Sequence, residues 1–155
     1  MSALHILAID PGLLTGMSFF EWDKESGQHP TLVWSAEVTF EEYAPKIRGV
    51  LADHPAALIV CERFTINVET AKKSQAPFSL ECIGVVKQIL LDAGRPISDL
   101  HMQLPADAMK MFDNPKLKKM KYWHRGGEGH ALDSIRHGLL AMVRLGWNFL
   151  PLLRD

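Results

Sequence analysis

The stretch LHILAIDPGLLTGMSFFEW, residues 4–22, is where the fold becomes readable. Residues 4–10 are apolar up to Asp10 and stop at Pro11-Gly12, which marks a buried strand ending in a turn. Residues 15–22 resume with Thr, Met and two Phe, the composition of a second strand. Lys24-Glu25-Ser26-Gly27 has the chemistry of a hairpin connection, and residues 31–39 read as a third strand. The sequence therefore begins with an antiparallel meander of three strands.

Downstream the pattern changes. Residues 40–53 read as a helix, with Thr39 as N-cap, Glu41 and Glu42 in its opening turn and Pro45 near its start. Residues 57–61, Ala-Leu-Ile-Val-Cys, are short, apolar and β-branched, and fit a central parallel strand. A long apolar helix is expected over 79–93, ending at Gly94, then a strand over 97–104, a short helix over 105–111 and a last helix over 128–146. Strands first, then alternating helix and strand, predict an α/β protein with a mixed five-stranded sheet flanked by helices. With 155 residues and 47% apolar content, the chain has the size of one domain, here taken as 1–155, with enough apolar surface to fold without staples.

Bulk properties narrow the class. The start, MSALHILAID, lacks a basic leader and a long apolar core, and no run approaches the ~18 apolar residues that span a bilayer. Cys61 and Cys82 lie inside apolar runs, which fits free thiols in a reducing, cytoplasmic setting. The net charge of −1 does not advertise a nucleic-acid binder, but its distribution is uneven. Residues 110–125 hold six bases (Lys110, Lys116, Lys118, Lys119, Lys121, Arg125) against the single acid Asp113. Such a run is either a solvated face or a phosphate-tracking patch.

Three acidic positions stand out. Asp10 closes a buried strand, where a carboxylate costs several kcal/mol unless paired or bound to a cation; alternatively it only starts the Pro-Gly turn. Glu62 closes the 57–61 run in the same way, although an ion pair with Arg63 would also explain it. His130 and Asp133, in H-A-L-D-S-I-R-H, are spaced i, i+3 and share one helix face, apart from a stripe of Leu132, Ile135, Leu139 and Met142. Acids are also ordinary near a helix N-terminus. In open α/β sheets, ligand groups gather at the carboxyl ends of the strands, and Asp10 and Glu62 meet there if the first and fourth strands are neighbours. Phosphodiester hydrolysis by two divalent cations calls for such an oxygen-rich set.

At these residues the chain resembles a family. A-I-D-P-G, I-V-C-E-R-F and H-A-L-D-S-I-R-H-G-L, in this order, look like the RuvC family of Holliday-junction resolvases, especially its short phage-encoded members. The resemblance runs over roughly residues 4–146. It implies a ribonuclease H-like fold, a homodimer, and paired nicks across four-way or other branched DNA that leave 5′-phosphates and 3′-hydroxyls. It implies two Mg²⁺ or Mn²⁺ ions held by Asp10, Glu62, His130 and Asp133, and a cytoplasmic setting, the host's if the chain is phage-encoded. The sequence departs from the family in two ways. Many relatives carry Asp at the place of His130, which shifts metal preference toward Mn²⁺. The basic loop is matched only in composition, so Lys116, Lys118, Lys119, Lys121 and Arg125 are DNA-binding candidates as a group.

Phe64 is a further candidate, as a wedge or base-stacking residue, with a packed loop aromatic as the alternative. Tyr122 and Trp123 either stack on DNA or anchor the basic loop. Gly126, Gly127 and Gly129 allow close backbone approach, or form a loose connection. The 79–93 helix is apolar nearly all round, which suggests burial on two sides and a dimer interface, while Glu81 on it is expected to stay out of the site. Two other readings remain beside junction resolution. One is a flap or fork nuclease of the same fold, and the other is a non-catalytic ribonuclease H-like DNA-binding module.

Overall fold

The computed structural model describes residues 3–72 and 76–155. Five strands form one sheet in the order β3-β2-β1-β4-β5. β1 (Leu4–Asp10) pairs antiparallel with β2 (Thr15–Trp22), which pairs antiparallel with β3 (Thr31–Val38). β4 (Leu58–Glu62) lies parallel to β1 on its other side, and β5 (Leu100–Gln103) is parallel to β4. This is the mixed five-stranded α/β arrangement expected from the order of elements.

Alternation along the strands builds a core on each face. Leu7, Ile9, Met17, Phe19, Ile59 and Cys61 face α1 (Tyr43–Asp53) and α2 (Ala76–Asp92). Ile6, Ala8, Phe20, Trp22 and Val60 face α3 (Pro105–Met111), α4 (Asn114–Lys119) and α5 (His130–Arg144). On α5, Ile135, Leu139 and Met142 are fully buried, each worth about 1.5–3 kcal/mol. Gly138 lets the helix settle onto the ring of Phe20, which a Cβ would strike. Leu132, expected in the same stripe, is only half-buried.

Four elements differ from expectation. α1 starts at Tyr43, because residues 40–42 form a turn in which the Glu42 carboxylate accepts from the Thr39 backbone N–H at 2.9 Å. Glu42, rather than the expected Thr39, therefore takes the N-cap position, and its own side chain does not cap the helix. Residues 97–99 form a 3₁₀ turn, which shortens β5 to four residues. Part of the basic segment is helical: Asp113 caps α4 by accepting from the Lys116 N–H at 3.0 Å, and Pro115 sits in its first turn. That Asp-x-Pro signal was present in the sequence.

The fourth difference concerns α2, which does not need burial on two sides. Cys82, Ile83, Val86, Ile89 and Leu90 all enter the chain's own core, while Leu80, Glu81, Gly84, Gln88 and Leu91 stay outside. Among the described residues no helix is long and apolar enough to cross a membrane.

Candidate active site

One row of residues crosses the whole sheet on the face covered by α5. Glu37 of β3 is opposite Gly16 of β2, and Gly16 is opposite Asp10 of β1. One step beyond the Ile9–Cys61 pairing, Asp10 runs alongside Glu62 of β4, which is opposite Gln103 of β5. The N-terminal half of α5 lies over this row. It can do so because Gly16 has no side chain: a Cβ there would collide with the backbone carbonyl of His130.

Each end of the row grips α5. The Glu37 carboxylate accepts from the backbone N–H groups of Glu128 (2.8 Å), Gly129 (2.9 Å) and His130 (3.1 Å). Gly127 and Gly129 adopt positive φ of 69° and 96°, and a Cβ on Gly127 would meet the Glu37 carboxylate. The glycine segment is thus an ordered wrap around Glu37. Partial burial pushes the Glu37 carboxyl up, but the backbone N–H groups together bring it below its ordinary range. At the other end, His137 lies between Gln103 (Nδ1 to Oε1, 2.8 Å) and Glu62 (Nε2 to Oε2, 2.8 Å).

Between these grips the expected residues meet. The His130 ring nitrogen Nδ1 is 3.1 Å from Asp10 Oδ2. Asp133, one turn along, takes a hydrogen bond from Arg136 at 2.5 Å. Arg136 is buried; it also donates to the Phe112 carbonyl at 2.7 Å and to the Asn114 side chain, tying α5 to α3 and α4. Glu62 and Asp133 line an open pocket of about 310 Å³ with Arg136, His137 and Met109.

Charge crowding marks the site. Burial pushes the Asp10 carboxyl up to about 6, against the pull of the His130 hydrogen bond, and the charges of Glu62 and Asp133 add to the rise. Burial and Glu62 likewise raise Asp133, partly offset by Arg136. The hydrogen bond to Asp10 raises His130, outweighing its own desolvation. Two buried carboxyls, each raised further by the charge of Glu62, form a site short of positive charge. Asp10, Glu62 and Asp133 each keep one oxygen with no hydrogen bond among the described residues. An oxygen-rich set with one imidazole fits a hard divalent cation. As the side chains stand, no three His, Cys, Asp or Glu among the described residues form a ready cage, since the carboxylates are tied to His130, His137 and Arg136.

The other candidates lie elsewhere. Phe64 is half-buried against the α1–α2 core, and the exposed apolar residues of its loop are Ile66 and Val68. Tyr122 is buried and donates to the Pro30 carbonyl at 2.5 Å, so it anchors the basic segment. Trp123 is half-buried, with Lys118 Nζ 4.6 Å above its ring. Lys116 donates to the Met111 carbonyl at 3.0 Å, and Lys119 pairs with Asp155 at 2.7 Å. Lys121 and Arg125 are exposed and make no ion pair among the described residues. Glu81 is exposed on α2, on the opposite face of the sheet. Arg63 makes no ion pair with Glu62; its backbone N–H donates to the Gln103 carbonyl at 2.6 Å.

Five residues at the site were not singled out from the sequence: Gly16, Glu37, Gln103, Arg136 and His137. His137 had a signal, because it is i+4 from Asp133 and i+7 from His130, on the same helix face. Glu37 had none, since its role depends on which strand lies beside β1–β2 and where α5 lands.

Fold and row together define a ribonuclease H-like α/β protein with an acidic cluster at the carboxyl ends of β1 and β4. Among solved structures it is similar to RuvC of Thermus thermophilus in complex with a Holliday junction substrate, at 14% identity and a TM-score of 0.67, over 92% of this chain and 96% of that one. It is also similar to the fowlpox virus resolvase in complex with Holliday junction DNA, at 12% identity and a TM-score of 0.56, over 93% of this chain and all of that one. No family profile and no curated protein matches the sequence. At such identities the likeness is one of fold: the chain has the RuvC fold.

Proposed function

We propose that this chain is a divalent-metal-dependent endonuclease of branched DNA that resolves four-way junctions by paired hydrolysis, as a homodimer of single-domain subunits. One observation carries the reading: Asp10, Glu62, Asp133 and His130 converge under the start of α5 on a fold shared with resolvases solved with Holliday junction DNA. Asp10, Glu62, Asp133 and His130 would hold Mg²⁺ or Mn²⁺, two ions per site. Such ions supply an activated water and stabilise the leaving 3′ oxygen.

The chain's own residues do the rest. Burial of Asp10 excludes water behind the site. Glu37 and Gly16 hold His130 over Asp10, and Arg136 keeps Asp133 on the site side of α5. Lys116, Lys118, Lys119, Lys121 and Arg125 would track the DNA backbone.

The deciding experiment incubates purified protein with labelled four-way junction, fork and flap substrates, with Mn²⁺, with Mg²⁺ and with chelator. Metal-dependent paired nicks on the junction, absent in Asp10→Asn, are expected. Preference for fork or flap would make it a broader structure-specific nuclease. Binding without cleavage in either metal would make it a non-catalytic module and refute the reading.

A further inference from the structure

Two histidines lie on the same face of α5, and each touches a different carboxylate. His130 is partly open, with about a quarter of its side chain exposed, and can leave Asp10 for another partner. His137 is different. It is 1% exposed, and both ring nitrogens are engaged, with Gln103 on one side and Glu62 on the other. The ring helps line the open pocket, but with both nitrogens engaged neither is available there as a ligand.

Proton accounting fixes the direction of its bond to Glu62. A carboxylate only accepts, so Nε2 must carry a proton to bond it at 2.8 Å. Nδ1 then donates to the Gln103 amide oxygen in the doubly protonated ring or, with that amide turned end for end, accepts from its nitrogen. In both states Nε2–H donates to Glu62 Oε2. Gln103 is buried at the end of β5, directly opposite Glu62, and its backbone carbonyl is held by the Arg63 N–H. The ring is therefore locked by two strands and its own helix.

We propose that His137, oriented by Gln103, is the positioning residue for Glu62: it occupies Oε2 and leaves Oε1 as the one oxygen available to a cation. This rests on the metal-dependent reading above and deepens it. Glu62 ends its strand, and its carboxylate is half-buried beside open space, so without this bond its side chain has several rotamers to choose from. Partners that orient a ligand typically change metal affinity or activity by about 10–100-fold when removed.

The test compares His137→Gln with His137→Asn. A Gln amide nitrogen can take the place of Nε2, and an Asn amide nitrogen cannot reach it. Asn is one methylene smaller than Gln, so a packing role would show as a lower Tm for His137→Asn, whereas the positioning role shows as weaker Mn²⁺ binding beyond what the Tm loss accounts for. Mn²⁺ binding is read by electron paramagnetic resonance of the free ion, together with kcat, metal-free junction Kd and Tm. His137→Asn should weaken Mn²⁺ binding and lower kcat by about 10–100-fold with junction Kd unchanged, and His137→Gln should restore both to within a few-fold. Gln103→Met, which frees the ring, should shift Mn²⁺ affinity in the same direction by less. Equal Mn²⁺ affinity in the Gln and Asn variants, or wild-type affinity in Asn, overturns the proposal. If wild type binds Mn²⁺ but cleaves no branched DNA, the nuclease reading fails while the affinities still judge His137. If wild type binds no Mn²⁺, both fail.

Discussion

Asp10 combines burial with a carboxyl raised to about 6, and that has a sign in stability. The folded state holds this proton more tightly than the unfolded chain, whose aspartates titrate near 3.8. The contribution of Asp10 to stability therefore falls as pH rises from about 4 through 6. Asp10→Asn should raise metal-free stability at pH 7.5 by on the order of 3 kcal/mol, read as a higher Tm, and lose that advantage near pH 4. A wild-type Tm at both pH values would show that the burial carries no such cost. The same variant, with Glu62→Gln and Asp133→Asn, should lose cleavage by orders of magnitude and keep junction binding, measured by gel shift and cleavage in parallel. His130 adds a pH dependence to activity. Asp10 raises its pKa above the usual 6.5, so protons compete with metal from a higher pH than for a free imidazole. Wild type should prefer Mn²⁺ and lose rate as pH falls through that raised value. His130→Asp should work better with Mg²⁺ and at low pH, while His130→Ala should be severely impaired. Rate–pH profiles in both metals decide, and equal rates for wild type and His130→Ala would remove His130 from the site.

At the level of elements, the start of α5 is set by β2 and β3. Glu37 acts as a cap supplied by a neighbouring strand, accepting from three successive backbone N–H groups. Its carboxyl is held below the ordinary range, so the stability it contributes is present above its unfolded pKa and fades as pH falls through its folded value. That is the opposite sign to Asp10. Glu37→Gln should cost about 1 kcal/mol in urea melts at pH 7, and the difference should shrink in acid. Cleavage should fall with it, because His130 is one of the residues gripped. Gly16→Ala should destabilise by about 1–3 kcal/mol or displace α5, since the Cβ meets the His130 carbonyl. Wild-type stability and cleavage in Gly16→Ala would mean that α5 is not seated on β2 in this way.

For the whole molecule, two properties follow from what the fold leaves outside. Val86 is completely buried in the chain's own core, so Val86→Glu would unfold the subunit and say nothing about a dimer. The outer face of α2 offers Leu80, 41% exposed, and Leu91, 48% exposed. If the homodimer uses that face, Leu80→Glu should give a folded monomer by light scattering; a wild-type monomer at micromolar concentration would remove the dimer altogether. The basic segment should make junction binding salt-dependent despite a net charge of −1. Lys118→Ala with Lys119→Ala should weaken binding and flatten the plot of log affinity against log salt, by about one unit per lost phosphate contact. Lys121→Ala with Arg125→Ala should do at least as much, because neither residue gives up an internal ion pair to reach DNA. Unchanged slopes would make the segment a solvated face.

Local patterns were legible without coordinates. Apolar runs that stop on an acid placed Asp10 and Glu62 at strand ends, because burial and strand termination are written in neighbouring residues. The i, i+3 spacing put His130 and Asp133 on one helix face, and the alternation of elements implied the mixed sheet. What only the tertiary structure decided depends on partners distant in sequence. Strand register set Glu37, Gly16, Asp10, Glu62 and Gln103 in one row. The landing of α5 on Gly16 then brought His130 to Asp10 and His137 to Glu62. The apolar count of the 79–93 helix could not tell a core face from an interface, because both bury the same side chains. Periodicity reports that a residue is buried, whereas only packing reports against what.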